Sequence, residues 1–386
     1  MLNEQIESAV SSFRALLVEQ IARAAEMEKA PPAKDYKNMD KIRVGLVDGD
    51  GIGPIIMREA KRVLSCVLAD ELASGHVELV DIEGLTIENR MAKGKAIPED
   101  VLAAIKSCDV LLKGPTTTPK GGTMESANVA MRRELDLYAN VRPVAVAEEG
   151  IDWTFFRENT EGEYVLGSRG VAVADKLAMD FKVTTVAGTR RIARAAFEYA
   201  KNNGKKNVAI VTKANIMKKT DGSFSAICHE IAAEYPEITA EDWYIDIMTA
   251  NLVNEKIRSR FEVFLLPNLY GDIITDEAAQ IQGGVGTAGS ANIGDRYAMF
   301  EAIHGSAPRM IEEGIGEYAN PESILRAAVM LLSHIGLQEA ADRLKNALDT
   351  CAAERRVFVT GDRDGATCAA YADYVMELLQ NERNAK

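Results

Sequence analysis

Residues 44–54 read VGLVDGDGIGP. An apolar run from Ile42 to Val47 leads through glycines into a helical stretch from Pro54 to about Leu72, the pattern of a strand, a turn and a helix. The turn fails the dinucleotide fingerprint Gly-x-Gly-x-x-Gly. After Gly49 and Gly51 the third glycine belongs at position 54, where Pro54 stands, and Gly53 comes one residue early. On this segment alone, a tight βα turn with Pro54 at the first helical position is the better description.

Outward from that unit, strand-like runs follow at Val77 to Ile82, Val110 to Leu112, Trp153 to Phe156, Val208 to Val211 and Val263 to Leu266. Helical stretches lie between most of them, at about Pro98 to Ser107, Thr189 to Lys201, Ser223 to Glu234 and Leu252 to Arg260. The alternation predicts an α/β fold with a largely parallel sheet covered on both faces. Residues Gly162 to Val186 break the rhythm and suit a small hairpin-like excursion. Helical stretches at about Pro321 to His334, Gln338 to Glu354 and Cys368 to Gln380 close the chain. Ahead of all this, Ile6, Val10, Phe13, Leu16, Leu17, Ile21 and Ala24 recur at helical spacing until Pro31-Pro32 stops them. This predicts a separate amphipathic helix on a short linker, docked on its own domain or on a partner subunit.

Composition narrows the function. The 386 residues carry 58 acidic and 45 basic side chains, a net charge of −13, which argues against a nucleic-acid binder with a basic face. No window approaches the roughly 18 apolar residues of a membrane span. Glu4, Glu7, Glu19, Glu26 and Glu28 are wrong for a targeting leader. Five scattered cysteines, Cys66, Cys108, Cys228, Cys351 and Cys368, suggest buried thiols in a reducing cytoplasm.

Candidate chemistry gathers in three places. In KGPTTTPKGGTMESANVAMRRELDLYANVRPV, residues 113–144, the hydroxyls of Thr116, Thr117 and Thr118 follow a strand, the end where open α/β sheets bind ligands. Ser126 and Asn128 precede a helical segment and suit plain capping. Arg132, Arg142 and Arg157 come from three elements, and their planar forks could converge on a polycarboxylate, although each alone suits a surface ion pair. In LLPNLYGDIITDEAAQIQGGVG, residues 265–286, Asp272 and Asp276 stand four apart on one helix face, a pair of hard oxygens suited to Mg²⁺ or Mn²⁺. In HGSAP, residues 304–308, small residues beside His304 let a flat ring approach the backbone.

In order and spacing, GDGIGP, KGPxxTP, LDLYANVRP, FRENTEGEY, KANIMK, NLYGDIITD, GSANIG and HGSAP resemble the β-decarboxylating dehydrogenase family of isocitrate, isopropylmalate, homoisocitrate and tartrate dehydrogenases. The resemblance covers residues 41 to about 380. It implies a non-Rossmann isocitrate/isopropylmalate dehydrogenase-like fold: a large domain from 41–137 and 284–386, a small domain from 138–283 with a clasp at about 162–186, and a helical extension and linker over 1–40. It further implies a homodimer whose subunits share each active site, with no nucleic acid or membrane partner.

By the same resemblance Arg132, Arg142 and Arg157 bind the malate-like part of the substrate, and Tyr164 donates a proton. Lys213 and Asp246 come from the neighbouring subunit, Asp246 joining Asp272 and Asp276 around Mg²⁺ or Mn²⁺. Isocitrate enzymes carry a Ser-x-Asn pair where isopropylmalate enzymes have an acidic residue and leucines. Ser126 and Asn128 therefore imply a tricarboxylate, isocitrate, with homoisocitrate second, then isopropylmalate, and a non-catalytic regulatory subunit as the alternative of another class.

The cofactor residues implied are Thr116, Thr117, Thr118, Asn215, His304, Gly305, Ser306, Ala307, Arg309 and Asn320. NAD is favoured over NADP. The Asp that usually follows HGSAP in NAD enzymes is replaced by Arg309-Met310, yet VTGDRDGAT, residues 359–367, does not carry the Tyr and Arg pair of bacterial NADP enzymes. The implied reaction is oxidation of the hydroxyl with hydride passing to the nicotinamide, loss of CO₂, and reprotonation by Tyr164.

Overall fold

The structure is a computed structural model describing residues 2–119, 124–167, 169–174, 176–284 and 288–385. Its strands in chain order are β1 (Ile42–Val47), β2 (Val77–Ile82), β3 (Val110–Lys113), β4 (Ala139–Val146), β5 (Ile151–Glu158), β6 (Val171–Val173), β7 (Leu177–Met179), β8 (Asn207–Thr212), β9 (Thr239–Tyr244), β10 (Val263–Leu266), β11 (Gly289–Ile293) and β12 (Ala298–Ala302). The chain divides into two compact units. The end-segment unit holds Ala33–Leu137 and Gln282–Lys386, and the middle unit holds Met1–Pro32 and Tyr138–Ile281.

In the end-segment unit the strands run β2-β1-β3-β12-β11, parallel except for β11 against β12. In β1, Ile42, Val44, Leu46 and Val47 are all buried, as a strand covered on both faces requires. Helix Gly53–Val67 covers part of the unit by burying Ile56, Met57, Ala60, Val63, Leu64 and Val67, one stripe at helical spacing. Each large apolar side chain so buried contributes about 1.5–3 kcal/mol before entropy is counted.

In the middle unit the order is β4-β5-β10-β8-β9, parallel except for β4 against β5. Its core is aromatic: Phe155 and Phe264 stack with centroids 4.3 Å apart, and Trp153 meets both edge-on. β6 and β7 form a separate antiparallel hairpin inside the stretch expected to be one. Because β1, β3 and β12 run parallel, as do β5, β10, β8 and β9, each unit delivers several loops to one sheet edge.

Three expectations change. The helix expected over Leu252 to Arg260 lies earlier, at Ile245–Leu252. A turn follows in which Asn254 Oδ1 accepts from Lys256 N at 3.1 Å, then a 3₁₀ turn at Arg258–Arg260. The single helix expected from Pro54 divides at Leu68 into Gly53–Val67 and Ala69–Ser74. β9 escaped notice because TAEDWY, at a sheet edge and only half-buried, has no apolar run to signal it.

The N-terminal helix, Leu2–Met27, belongs to the middle unit. Leu16 is buried and Phe13 stacks on Phe181 at 5.0 Å, but Ile6, Val10, Leu17 and Ile21 of the expected apolar face are exposed in the single chain. Cys108, Cys228, Cys351 and Cys368 are buried free thiols, and Cys66 is half-buried. Among the described residues no helix is long and apolar enough to cross a membrane.

Candidate active site

In the end-segment unit, loops leave the C-terminal ends of β1, β3 and β12, and Asp50 ties the first two together. Its Oδ2 accepts from Thr117 N and its Oδ1 from Ile87 N, both at 2.7 Å. Thr117 Oγ1 and Ser306 Oγ share a hydrogen bond of 2.7 Å, and Ser306 O accepts from Ile52 N at 3.0 Å. Gly51 makes this junction possible. Its φ is +60°, and a Cβ there would stand 2.0 Å from Ser306 O. The glycine turn that fails the fingerprint thus serves the close approach of the HGSAP loop. Ala307 in that loop is left-handed, φ +43° and ψ 57°, directly before Pro308; such strain in a non-glycine residue clusters at ligand sites. His304 has Nδ1 3.0 Å from Gly305 O, and burial pushes its pKa down, so the ring is neutral near pH 7.

Arg132 lies on helix Ala127–Glu134 with Nη2 3.7 Å from Glu301 Oε1, while Lys113 Nζ is 3.0 Å from Glu301 Oε2. Burial alone would raise the Glu301 carboxyl, yet Lys113 and Arg132 outweigh it and hold the group below its ordinary range. Thr116 Oγ1 donates to Asn128 Oδ1 at 3.1 Å. Ser126 occupies the N-cap position without a side-chain capping bond, so capping does not account for its hydroxyl.

In the middle unit Arg157 stands at the end of β5 and is only 1% exposed. Its Nε and Nη2 donate to Asn268 Oδ1 at 3.0 and 2.7 Å, and its Nη1 bonds Asp272 Oδ1. The other oxygen of Asp272 accepts from Tyr164 OH at 2.7 Å. Arg142, on β4, donates to Thr275 Oγ1 at 2.7 Å and Asp276 Oδ1 at 2.9 Å. Asp272 and Asp276 lie one turn apart on helix Asn268–Ile281. Lys213 leaves β8 with Nζ 2.6 Å from Asp246 Oδ1, and its backbone N donates to the buried Asp221 Oδ2 at 2.7 Å. The Lys213 bond holds the Asp246 carboxyl below its usual range, hence ionised.

Residues 43–375 match the family described as isocitrate/isopropylmalate dehydrogenase. The chain belongs to that family. It is 37% identical over 345 residues to the probable mitochondrial isocitrate dehydrogenase [NAD] subunit alpha of Caenorhabditis elegans, covering 87% of this chain and 92% of that protein. It is 41% identical over 308 residues to the isocitrate dehydrogenase [NADP] of Rickettsia prowazekii, covering 78% of this chain and 61% of that one. The crystal structure of isocitrate dehydrogenase from Methylococcus capsulatus superposes with a TM-score of 0.77 at 34% identity, covering 88% of this chain and 99% of that chain.

Within this isocitrate/isopropylmalate dehydrogenase family member, Asp272 and Asp276 present two hard carboxylates on solvent-facing side chains, a donor set suited to a divalent cation that keeps some of its water. Asp246 stands on a different helix, and among the described residues of one chain no three acidic, His or Cys side chains gather as metal ligands. Of the remaining candidates, Thr118 and Asn215 are exposed, and Asn320 Oδ1 accepts from Glu322 N at 2.9 Å. Arg309 donates to Glu313 Oε1 at 2.5 Å, and Arg363 donates to Glu313 O at 3.3 Å. Asp50, Asn268 and Glu301, which hold Thr117, Arg157 and Arg132, were missed by sequence reasoning. Glu301 had a signal, as the charged residue inside the apolar run Ala298 to Ile303; Asn268 had none, since its role needs Arg157 from a distant strand.

Proposed function

We propose that this protein oxidises and decarboxylates isocitrate to 2-oxoglutarate and CO₂ with NAD, as a homodimer whose subunits share each active site. The observation that carries the reading is the arrangement around Asp272, where one carboxylate is bonded by a buried arginine and by a tyrosine hydroxyl. Arg132, Arg142 and Arg157 are assigned to the malate-like carboxylates. Ser126 and Asn128 are assigned to the third. An amide and a hydroxyl suit that carboxylate and disfavour the apolar group of isopropylmalate.

Asp272 and Asp276, with Asp246 of the partner subunit, would hold Mg²⁺ or Mn²⁺, which when bound supplies Lewis-acid polarisation of the substrate oxygen. The proton of the substrate hydroxyl leaves through Lys213 Nζ, which receives it as it passes one of its own to the ionised Asp246. Tyr164 OH, oriented by Asp272, returns a proton to the carbon that loses CO₂. Thr117, Ser306 and the strained Ala307 loop are assigned to the dinucleotide. NAD is favoured because Glu313 already engages Arg309, the cation best placed in sequence to seek a 2′-phosphate.

The test is turnover by the purified protein alone with Mg²⁺, isocitrate and NAD, with NADP and isopropylmalate run in parallel. Turnover of isocitrate is expected. Inactivity of the isolated chain alongside activity in a mixed complex would replace this reading with the regulatory one.

A further inference from the structure

The N-terminal helix Leu2–Met27 precedes the family match, which begins at residue 43, yet it touches the segment that bears the proposed site. Three contacts seat it on the middle unit. Phe13 stacks on Phe181, Glu19 pairs with Arg169 at 2.5 Å, and Arg23 Nη2 reaches Glu161 Oε1 at 2.8 Å. The last contact differs from the others because Glu161 is buried, its side chain 3% exposed.

The surroundings of Glu161 are built for a carboxylate. Thr185 N and Thr185 Oγ1 donate to its two oxygens at 2.8 and 2.5 Å, at the N-terminus of helix Val186–Asn202. Gly188 leaves the space, since a Cβ there would stand 2.5 Å from Glu161 Oε1. Arg23 is itself oriented, its Nε donating to Gln20 Oε1 at 2.8 Å. A second buried acid, Glu158, lies three residues away and accepts from Glu161 N at 2.7 Å. Of the two, Glu158 has the charge of Arg191 nearby, whose Nη2 donates to Thr160 Oγ1 at 3.0 Å, and Glu161 is paired with Arg23.

That turn connects to the proposed chemistry. Glu161 O accepts from Asn268 Nδ2 at 3.0 Å, and Asn268 Oδ1 is the acceptor that clamps Arg157. Tyr164 follows three residues after Glu161. We infer that Arg23 is a positioning residue: by neutralising Glu161 it fixes the 158–164 turn, and through Asn268 the orientation of Arg157 and of Tyr164. The extra helix thereby makes the reactive geometry depend on its own docking. The catalytic half of the inference rests on the isocitrate reading; the positional half does not.

The experiment compares Arg23→Gln, Arg23→Lys and the double variant Arg23→Gln/Glu161→Gln in the full chain. Hydrogen exchange of peptides spanning 157–167 is expected to accelerate in Arg23→Gln and to return toward wild type in the other two, since Lys pairs the buried Glu161 again and the double variant removes its charge. With isocitrate, Arg23→Gln is expected to lose about tenfold to a hundredfold in kcat/KM, with the KM for the dinucleotide unchanged and recovery in Arg23→Lys. Wild-type exchange in Arg23→Gln, or equal losses for both substrates without recovery by Lys, overturns the inference. Absence of isocitrate turnover in the wild type instead fails the functional reading, and exchange alone then decides whether Arg23 positions the turn.

Discussion

Tyr164 donates its phenolic hydrogen to Asp272 Oδ2 at 2.7 Å, while Arg157 occupies Asp272 Oδ1. One carboxylate therefore joins the proton donor, the substrate-binding arginine and the metal ligand of the proposed site. Arg157 at the end of β5 and Tyr164 in the loop beyond it lie close in sequence, whereas Asp272, on the helix after β10, lies 115 and 108 residues further on. Loss of this carboxylate disturbs all three at once, which separates it from Asp276, bonded by Arg142.

Asp272→Asn keeps the shape of the side chain and removes its charge. Metal-dependent turnover of isocitrate is expected to vanish, and Arg157 loses its charged partner. Undiminished activity in this variant, measured against Mg²⁺ concentration, removes the metal assignment.

If Tyr164 and Lys213 of different subunits complete one site, two dead variants can rescue each other. Tyr164→Phe and Lys213→Met homodimers are each expected to fall by about 10²–10⁴ in kcat, the range of a lost acid or base. Unfolded and refolded together in equal amounts, half the dimers are mixed and each holds one intact site, so about a quarter of wild-type activity returns by statistical pairing. Recovery at the background level of the parents refutes shared sites.

Ser126→Leu bears on substrate choice. A selective fall in kcat/KM for isocitrate is expected, by about tenfold or more, because a buried apolar group cannot replace a hydroxyl that meets a carboxylate. Equal effects on isocitrate and isopropylmalate sink the tricarboxylate assignment.

Arg309→Asp places an acid where NAD enzymes of the family usually carry one. The ratio of kcat/KM for NAD over NADP should rise, read from initial rates with each dinucleotide. An unchanged ratio takes Arg309 out of the cofactor site.

Glu158 titrates unusually. Burial, then the charge of Glu161, pushes its carboxyl up to about 7. A carboxyl whose folded pKa lies above its unfolded value binds its proton more tightly when folded. Its contribution to stability is complete below the unfolded pKa of about 4.3 and is lost as pH rises through about 7. Glu158→Gln should therefore raise the melting temperature relative to wild type at pH 8 and have little effect at pH 4.5. A gain of the same size at both pH values contradicts the shifted carboxyl.

Much of the architecture was legible in the residues. β1 and β10 begin and end where their apolar runs do, because strands buried on both faces carry their signal in consecutive residues; the edge strand β2 keeps its expected bounds through Val77, Leu79, Val80 and Ile82. The edge strand β9 was not legible, since half-exposed positions accept polar residues. The helix Ile245–Leu252 was displaced in the sequence-based expectation because its end depends on an Asx turn at Asn254.

By itself the sequence determined the α/β class, the failure of the glycine turn as a dinucleotide fingerprint, and the family, because each is written in local spacing. Only the tertiary structure decided which charges meet: that Asp50 ties the β1 and β3 loops and Ser306 closes on them, that Asp272 is held by Arg157 and Tyr164 together, and that a helix outside the family match reaches Glu161 through Arg23. Hydrogen bonds and ion pairs form between side chains a few ångströms apart, and folding brings together residues 23 and 161, or 157 and 272, whose nearness no local pattern encodes.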